Sequence, residues 1–117
     1  MSSIQPSKLD LTIRKFRTFS ETLSFTDDND APLDLSSYTI TAQVRKEESY
    51  ASKLVVDLVI DDSDKATGNI VISLTETVTG ELDIASGFWD MLFVVGDLKE
   101  SWVEGSVAIK EAITNVA

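Results

Sequence analysis

The chain has 117 residues, with 10 Lys and Arg against 20 Asp and Glu, a net charge of −10, and neither Cys nor His. At this length one domain is expected, with a core that needs no disulfide or metal staple; without Cys and His the chain also lacks thiolate ligands, the commonest general base and the commonest transition-metal ligand. So acidic a molecule repels phosphate backbones and anionic lipid, so neither nucleic acid nor a membrane is an expected partner, and no cofactor is expected.

Residues 1–7 hold one large aliphatic side chain, Ile4, and are expected to be loose, with the domain proper over 8–117. The first eight residues carry no apolar stretch of the secretory kind, and no run approaches the ~20 residues that span a bilayer, so a cytoplasmic product is expected. Lys8–Lys15 alternates Leu9, Leu11 and Ile13 against Asp10, Thr12 and Arg14, the period of a half-buried strand. Phe19–Thr26 follows with Phe19, Leu23 and Phe25. Glu21 shares their parity and predicts a bulge or an exposed strand end. Asp27-Asp28-Asn29-Asp30-Ala31-Pro32 is turn chemistry, and Leu33–Ser37 reads as a connector.

Tyr38–Arg45 alternates most cleanly, with Tyr38, Ile40, Ala42 and Val44 on one face. A polar break over Lys46–Ser52 precedes Lys53–Asp61, which sets Leu54, Val56, Leu58 and Ile60 against Val55, Asp57, Val59 and Asp61. An acidic turn through Asp62 and Asp64 leads to a strand at Asn69–Leu74. Thr75–Leu82 predicts one helical turn with Thr75 as N-cap. Gly87–Val95 and Glu100–Lys110 then form a closing hairpin around Gly96-Asp97-Leu98-Lys99-Glu100. Short strands with turns between them, and no long segment of helical period, predict an all-β sandwich; a small barrel is the alternative.

Trp89 shares parity with Met91, Phe93 and Val95, which assigns it to the core. Trp102 is assigned to the core by the same logic, against a stacking platform for a sugar or a partner's side chain. The opposite face of the Trp89 strand carries Phe88, Leu92 and Val94. A strand apolar on both faces is either covered twice or meets another subunit. Asp27, Asp28 and Asp30 in one turn, and Asp61, Asp62 and Asp64 in another, are candidate calcium ligands by donor type, set against the plain reading of solvated turns. Glu76, Glu81, Asp83 and Asp90 do not have a spacing that demands glycosidase chemistry, and a Ser–His–Asp arrangement is impossible, so no catalytic role is expected. Arg14, Lys15 and Arg17, with Arg45 and Lys46, form the basic patch of an acidic molecule and are candidates for contact with an acidic neighbour.

Several short segments then carry a resemblance. They are Ala31-Pro32-Leu33-Asp34-Leu35-Ser36, Tyr38–Arg45, Gly68–Leu74, Gly87-Phe88-Trp89-Asp90, and Glu104-Gly105-Ser106-Val107-Ala108-Ile109 running on to Thr114. In order and spacing the chain resembles the small immunoglobulin-like β-sandwich domains of tailed-phage particles, including the N-terminal domain type of baseplate upper proteins. It departs from them at Ser37, where Gly is frequent. No long extension follows Thr114, so the domain is expected to stand alone. The resemblance implies an antiparallel sandwich of about seven strands and a structural role within a virion, made in the bacterial host cytoplasm. The implied partners are other phage structural proteins and further copies of the chain. It also implies structural positions at Asp34, Leu35, Gly87, Trp89, Asp90 and Gly105, with Asp90 holding a neighbouring loop through backbone N–H groups. Phe88, Leu92 and Trp102 join the basic residues as candidate interface positions. A carbohydrate-binding or adhesive module with Trp102 as platform is the alternative function.

Overall fold

The period-two runs all become strands, and two of them break where tertiary contacts intervene. The computed structural model describes residues 7–114 except Tyr50. Nine strands are present among the described residues: β1 (Ser7–Lys8), β2 (Leu11–Arg14), β3 (Phe19–Ser24), β4 (Thr39–Arg45), β5 (Leu54–Asp57), β6 (Val59–Asp61), β7 (Asn69–Leu74), β8 (Ser86–Val95) and β9 (Leu98–Lys110). One sheet runs β1-β9-β8-β4-β5, with β2 also on β9; the other runs β3-β7-β6. Pairing is antiparallel except where β1 and β2 lie parallel along β9. The strand order, with a sheet of three against a sheet built on the closing hairpin, is that of an immunoglobulin-like sandwich.

The inner faces are those that alternation assigns. Ile40, Ala42 and Val44 of β4, Ile70, Ile72 and Leu74 of β7, and Trp89, Met91 and Phe93 of β8 are buried. A helix, α1 (Glu76–Gly80), crosses between the sheets. Thr75 caps it, its hydroxyl accepting from the Val78 N–H at 3.4 Å. The fully buried Thr79 fastens the helix to the β2–β3 turn: its hydroxyl donates to the Arg17 carbonyl at 2.8 Å and accepts from the Arg17 N–H at 3.2 Å.

The count exceeds seven because two runs break. Lys53–Asp61 passes from one sheet to the other at Leu58, which is 4% exposed and holds its N–H on the Ala42 carbonyl at 3.0 Å. Lys8–Lys15 breaks at Leu9–Asp10. Ser7, the last of the residues expected to be loose, pairs with Val103; the other six lie outside the described residues. Glu21 faces Ile72 in an unshifted register. No bulge forms at Glu21. It stays exposed because β3 is an edge strand, where an inward-side charge discourages a further strand from pairing. The closing hairpin turns on two residues, Gly96 and Asp97, with Gly96 supplying the positive φ of 57° that such a turn requires.

Candidate functional site

Trp89 anchors the floor of the site from below. It pairs in register with Gly105 of β9, and its indole Nε1 donates to the Leu9 carbonyl at 2.7 Å. A Cβ on Gly105 would overlap that carbonyl oxygen and lie 2.6 Å from its carbon, so this approach requires glycine. Leu9 is held further by its N–H on the Glu104 carbonyl at 2.9 Å, and Asp10 accepts the Ser106 N–H at 3.0 Å. The break between β1 and β2 is therefore a fixed crossing over Gly105. It raises one wall along the outer face of the large sheet.

The β4–β5 loop raises the opposite wall. Arg45 reaches back to the Ser52 carbonyl at 2.7 Å and to the Gln43 amide oxygen at 2.9 Å. Between the walls lies an open groove of about 1010 Å³. Phe88, Asp90 and Leu92 of β8, Thr41 and Gln43 of β4, and Ser101 and Glu104 of β9 line its floor. Phe88 and Leu92 are half-buried, with no third layer over them among the described residues. That favours the subunit-facing reading of this strand over the doubly covered one.

The charges of the groove are distinctive. Five carboxylates (Asp10, Glu47, Glu48, Asp90, Glu104) and three cations (Lys8, Arg45, Lys99) line it. Among the described residues none of the eight forms an ion pair within 4.0 Å. Asp90 stands directly opposite Glu104 in the β8–β9 register, a like-charge pairing that works against the sheet. The Asp90 carboxylate accepts from the Ser101 hydroxyl at 2.6 Å. It does not hold a loop through backbone N–H groups as expected. Asp90→Asn keeps an acceptor for Ser101 and removes the repulsion with Glu104. We expect its unfolding free energy to stay within about 0.5 kcal/mol of wild type in urea titrations, where a loop-holding role would give a clear loss.

The other sequence candidates fall elsewhere. Arg14 and Arg17 bind backbone carbonyls of the C-terminal segment, at Glu111 and Thr114, and Lys15 lies 3.9 Å from Glu111. Two strands separate β2 from β4, so Arg45 and Lys46 are not part of that cluster. Trp102 is 6% exposed and belongs to the core, which removes it as a surface platform or interface residue. Leu35 is buried and bonds the Lys65 carbonyl through its N–H, while Asp34 closes a turn onto the Ser36 N–H at 3.0 Å. Gly87 lets β8 pass close to the Arg45 carbonyl, 2.7 Å from where a Cβ would sit.

The acidic loops do not converge as calcium sites. Asp27 accepts from the N–H groups of Asn29 and Ala31, Asp61 from Ser63, and Asp62 lies 3.4 Å from Lys65. No three carboxylates gather among the described residues. Turn formation uses these side chains one at a time, in line with the plain reading of solvated turns.

Three carboxyls are held below the ordinary carboxylate value: Asp10 by the Ser106 N–H first and its hydroxyl second, Asp34 and Asp61 by the hydroxyl and then the N–H of Ser36 and Ser63. A depressed folded value adds stability above the unfolded value near ~3.9, which is lost as pH falls through the folded values. Acid unfolding followed by circular dichroism should therefore be shallower below about pH 4 in the Asp10→Asn, Asp34→Asn, Asp61→Asn triple variant.

Comparison with known proteins adds fold and no family. No protein-family description matches the sequence, and no curated protein matches it. Among solved structures, the N-terminal domain of phage TP901-1 ORF48 is similar at a TM-score of 0.53 and 9% identity, over 91% of this chain and 90% of that one. A chain in the crystal structure of ICOS in complex with ICOS-L and an anti ICOS-L VNAR domain is similar at 0.53 and 9%, over 92% of this chain and 56% of that one. The chain thus spans about half of the latter. Both likenesses bear on the fold alone.

Proposed function

We propose that this chain is a structural component of a tailed-phage particle, acting through protein–protein contacts and not through catalysis. The observation that carries the reading is the outer groove. A half-buried apolar pair, Phe88 and Leu92, lies uncovered and is framed by charges with no ion-pair partner among the described residues. Such a surface suits a protein neighbour, which can bury the apolar floor and match the charges. The absence of His and Cys supports a role without covalent or acid–base chemistry. The sequence resemblance supports the viral setting. The carbohydrate-binding alternative loses its platform with Trp102 inside the core.

Quantitative mass spectrometry of purified particles, from a phage whose genome carries this gene, tests the proposal. The chain should appear in fixed ratio to the tail or capsid proteins. Leu92→Arg should fold and yet be left out of particles. Absence of the wild-type chain from purified particles would overturn the reading.

A further inference from the structure

We propose that copies of this chain join head to tail, with the Lys15-Phe16-Arg17 turn of one copy seated in the outer groove of the next. The inference builds on the assembly reading above and names the two surfaces involved.

The turn has features that the fold itself does not require. Phe16 adopts a φ of 61°, a left-handed conformation in which a bulky side chain is an outlier, yet the residue is 55% exposed. Backbone strain retained to present a half-exposed aromatic ring points outward, to a partner. The ring rests on Gly80, where a Cβ would come within 2.5 Å of it, and Thr79 grips the neighbouring Arg17 backbone through both its N–H and its carbonyl. The turn is thus rigid before any encounter, which lowers the ordering cost of docking.

Its charge is opposite to the excess in the groove, where five carboxylates face three cations. Arg14, Lys15 and Arg17 are the densest cluster of cations in a chain of net charge −10. Among the described residues Arg14 and Arg17 bond only to carbonyl oxygens, which leave their positive charge intact, while Lys15 lies 3.9 Å from Glu111. The groove offers Asp90 and Glu104 side by side on its floor, Glu47 and Glu48 on its wall, and Phe88 and Leu92 to receive a ring. Glu76 and Glu81 border Phe16 on the α1 side. Repulsion from the excess of carboxylates in the groove therefore turns the α1 side of the turn away from it. Because turn and groove are different patches, the contact is heterologous, and it closes into a ring or continues as a filament.

Size-exclusion chromatography with light scattering on the wild-type chain, across a concentration series, is the test. Mass should rise with concentration, and less so at high salt. Arg17→Glu and Glu104→Arg should each weaken association about tenfold or more, and combining them in one chain should restore it. Mixing the two single variants should likewise restore assembly, because one contact between them is native and the other is the charge-reversed pair. Phe16→Ser, at an exposed site, should weaken association with an unchanged circular dichroism spectrum. A wild-type chain that stays monomeric, or an assembly indifferent to these substitutions, would overturn the proposal. A chain monomeric in solution but present in purified particles would sink this contact and leave the phage reading standing.

Discussion

Gly105→Ala is expected to cost about 3–5 kcal/mol, lowering the urea midpoint steeply, because two penalties fall together. The added methyl would overlap the Leu9 carbonyl, and its neighbours are backbone atoms that cannot swing aside. Overpacking against backbone costs about 1–3 kcal/mol. Displacing Leu9 also takes away the acceptor of the Trp89 indole, and Trp89 is 3% exposed, so water does not replace it. A stranded buried donor adds about 1–3 kcal/mol. Gly96→Ala is the control. A Cβ there meets nothing within 4 Å, so only the positive φ is penalised, at about 1 kcal/mol. If the two variants lost equal stability, the crossing over Gly105 would not be what fixes β1 and β2 on β9. A shift of the crossing would also be visible at the groove, whose wall includes Asp10.

That crossing explains which parts of the molecule could be read from the chain. β4 and β7 alternate without interruption, and their neighbours leave them in phase, so local period was sufficient. The helix after β7 carried its own cap in Thr75. The breaks had no local mark. Leu9–Asp10 reads as continuous strand because its interruption is imposed by Gly105 and Trp89, the latter 80 residues away. Leu58 lies in an unbroken alternation and changes sheets only because β4 takes its N–H. The groove was half legible. Phe88 and Leu92 announced an apolar outer face, but its walls come from the Leu9–Asp10 crossing and the β4–β5 loop. The Asp90–Glu104 opposition depends on a register that single-strand periodicity does not contain.

Trp102, expected in the core and found there, carries the second large effect. Strict alternation with Val103, Gly105, Val107 and Ile109 would turn it outward with Glu104 and Ser106; what brings it inward is not local. A register shift opposite Met91 and Leu92 inserts one extra residue and turns Trp102 inward beside Val103. There it stacks on Phe93 with ring centres 4.2 Å apart and planes 13° from parallel, and meets the edges of Tyr38 at 5.3 Å and Phe25 at 6.0 Å. Trp102→Ala removes this centre and should cost about 3–5 kcal/mol, the range for a large aromatic deleted from a packed core. Trp102→Phe should behave differently. The indole Nε1 is buried without a hydrogen-bond partner among the described residues, an arrangement that already costs about 1–3 kcal/mol. Phenylalanine keeps a ring on Phe93 and discards the stranded donor, so the lost contact area is offset and the net change stays within about 1 kcal/mol. Urea unfolding of the two variants should separate them widely. A sugar platform would behave in the opposite way, with binding lost and stability kept in Trp102→Ala. An unchanged midpoint in that variant would put the indole back on the surface and reopen the adhesive reading.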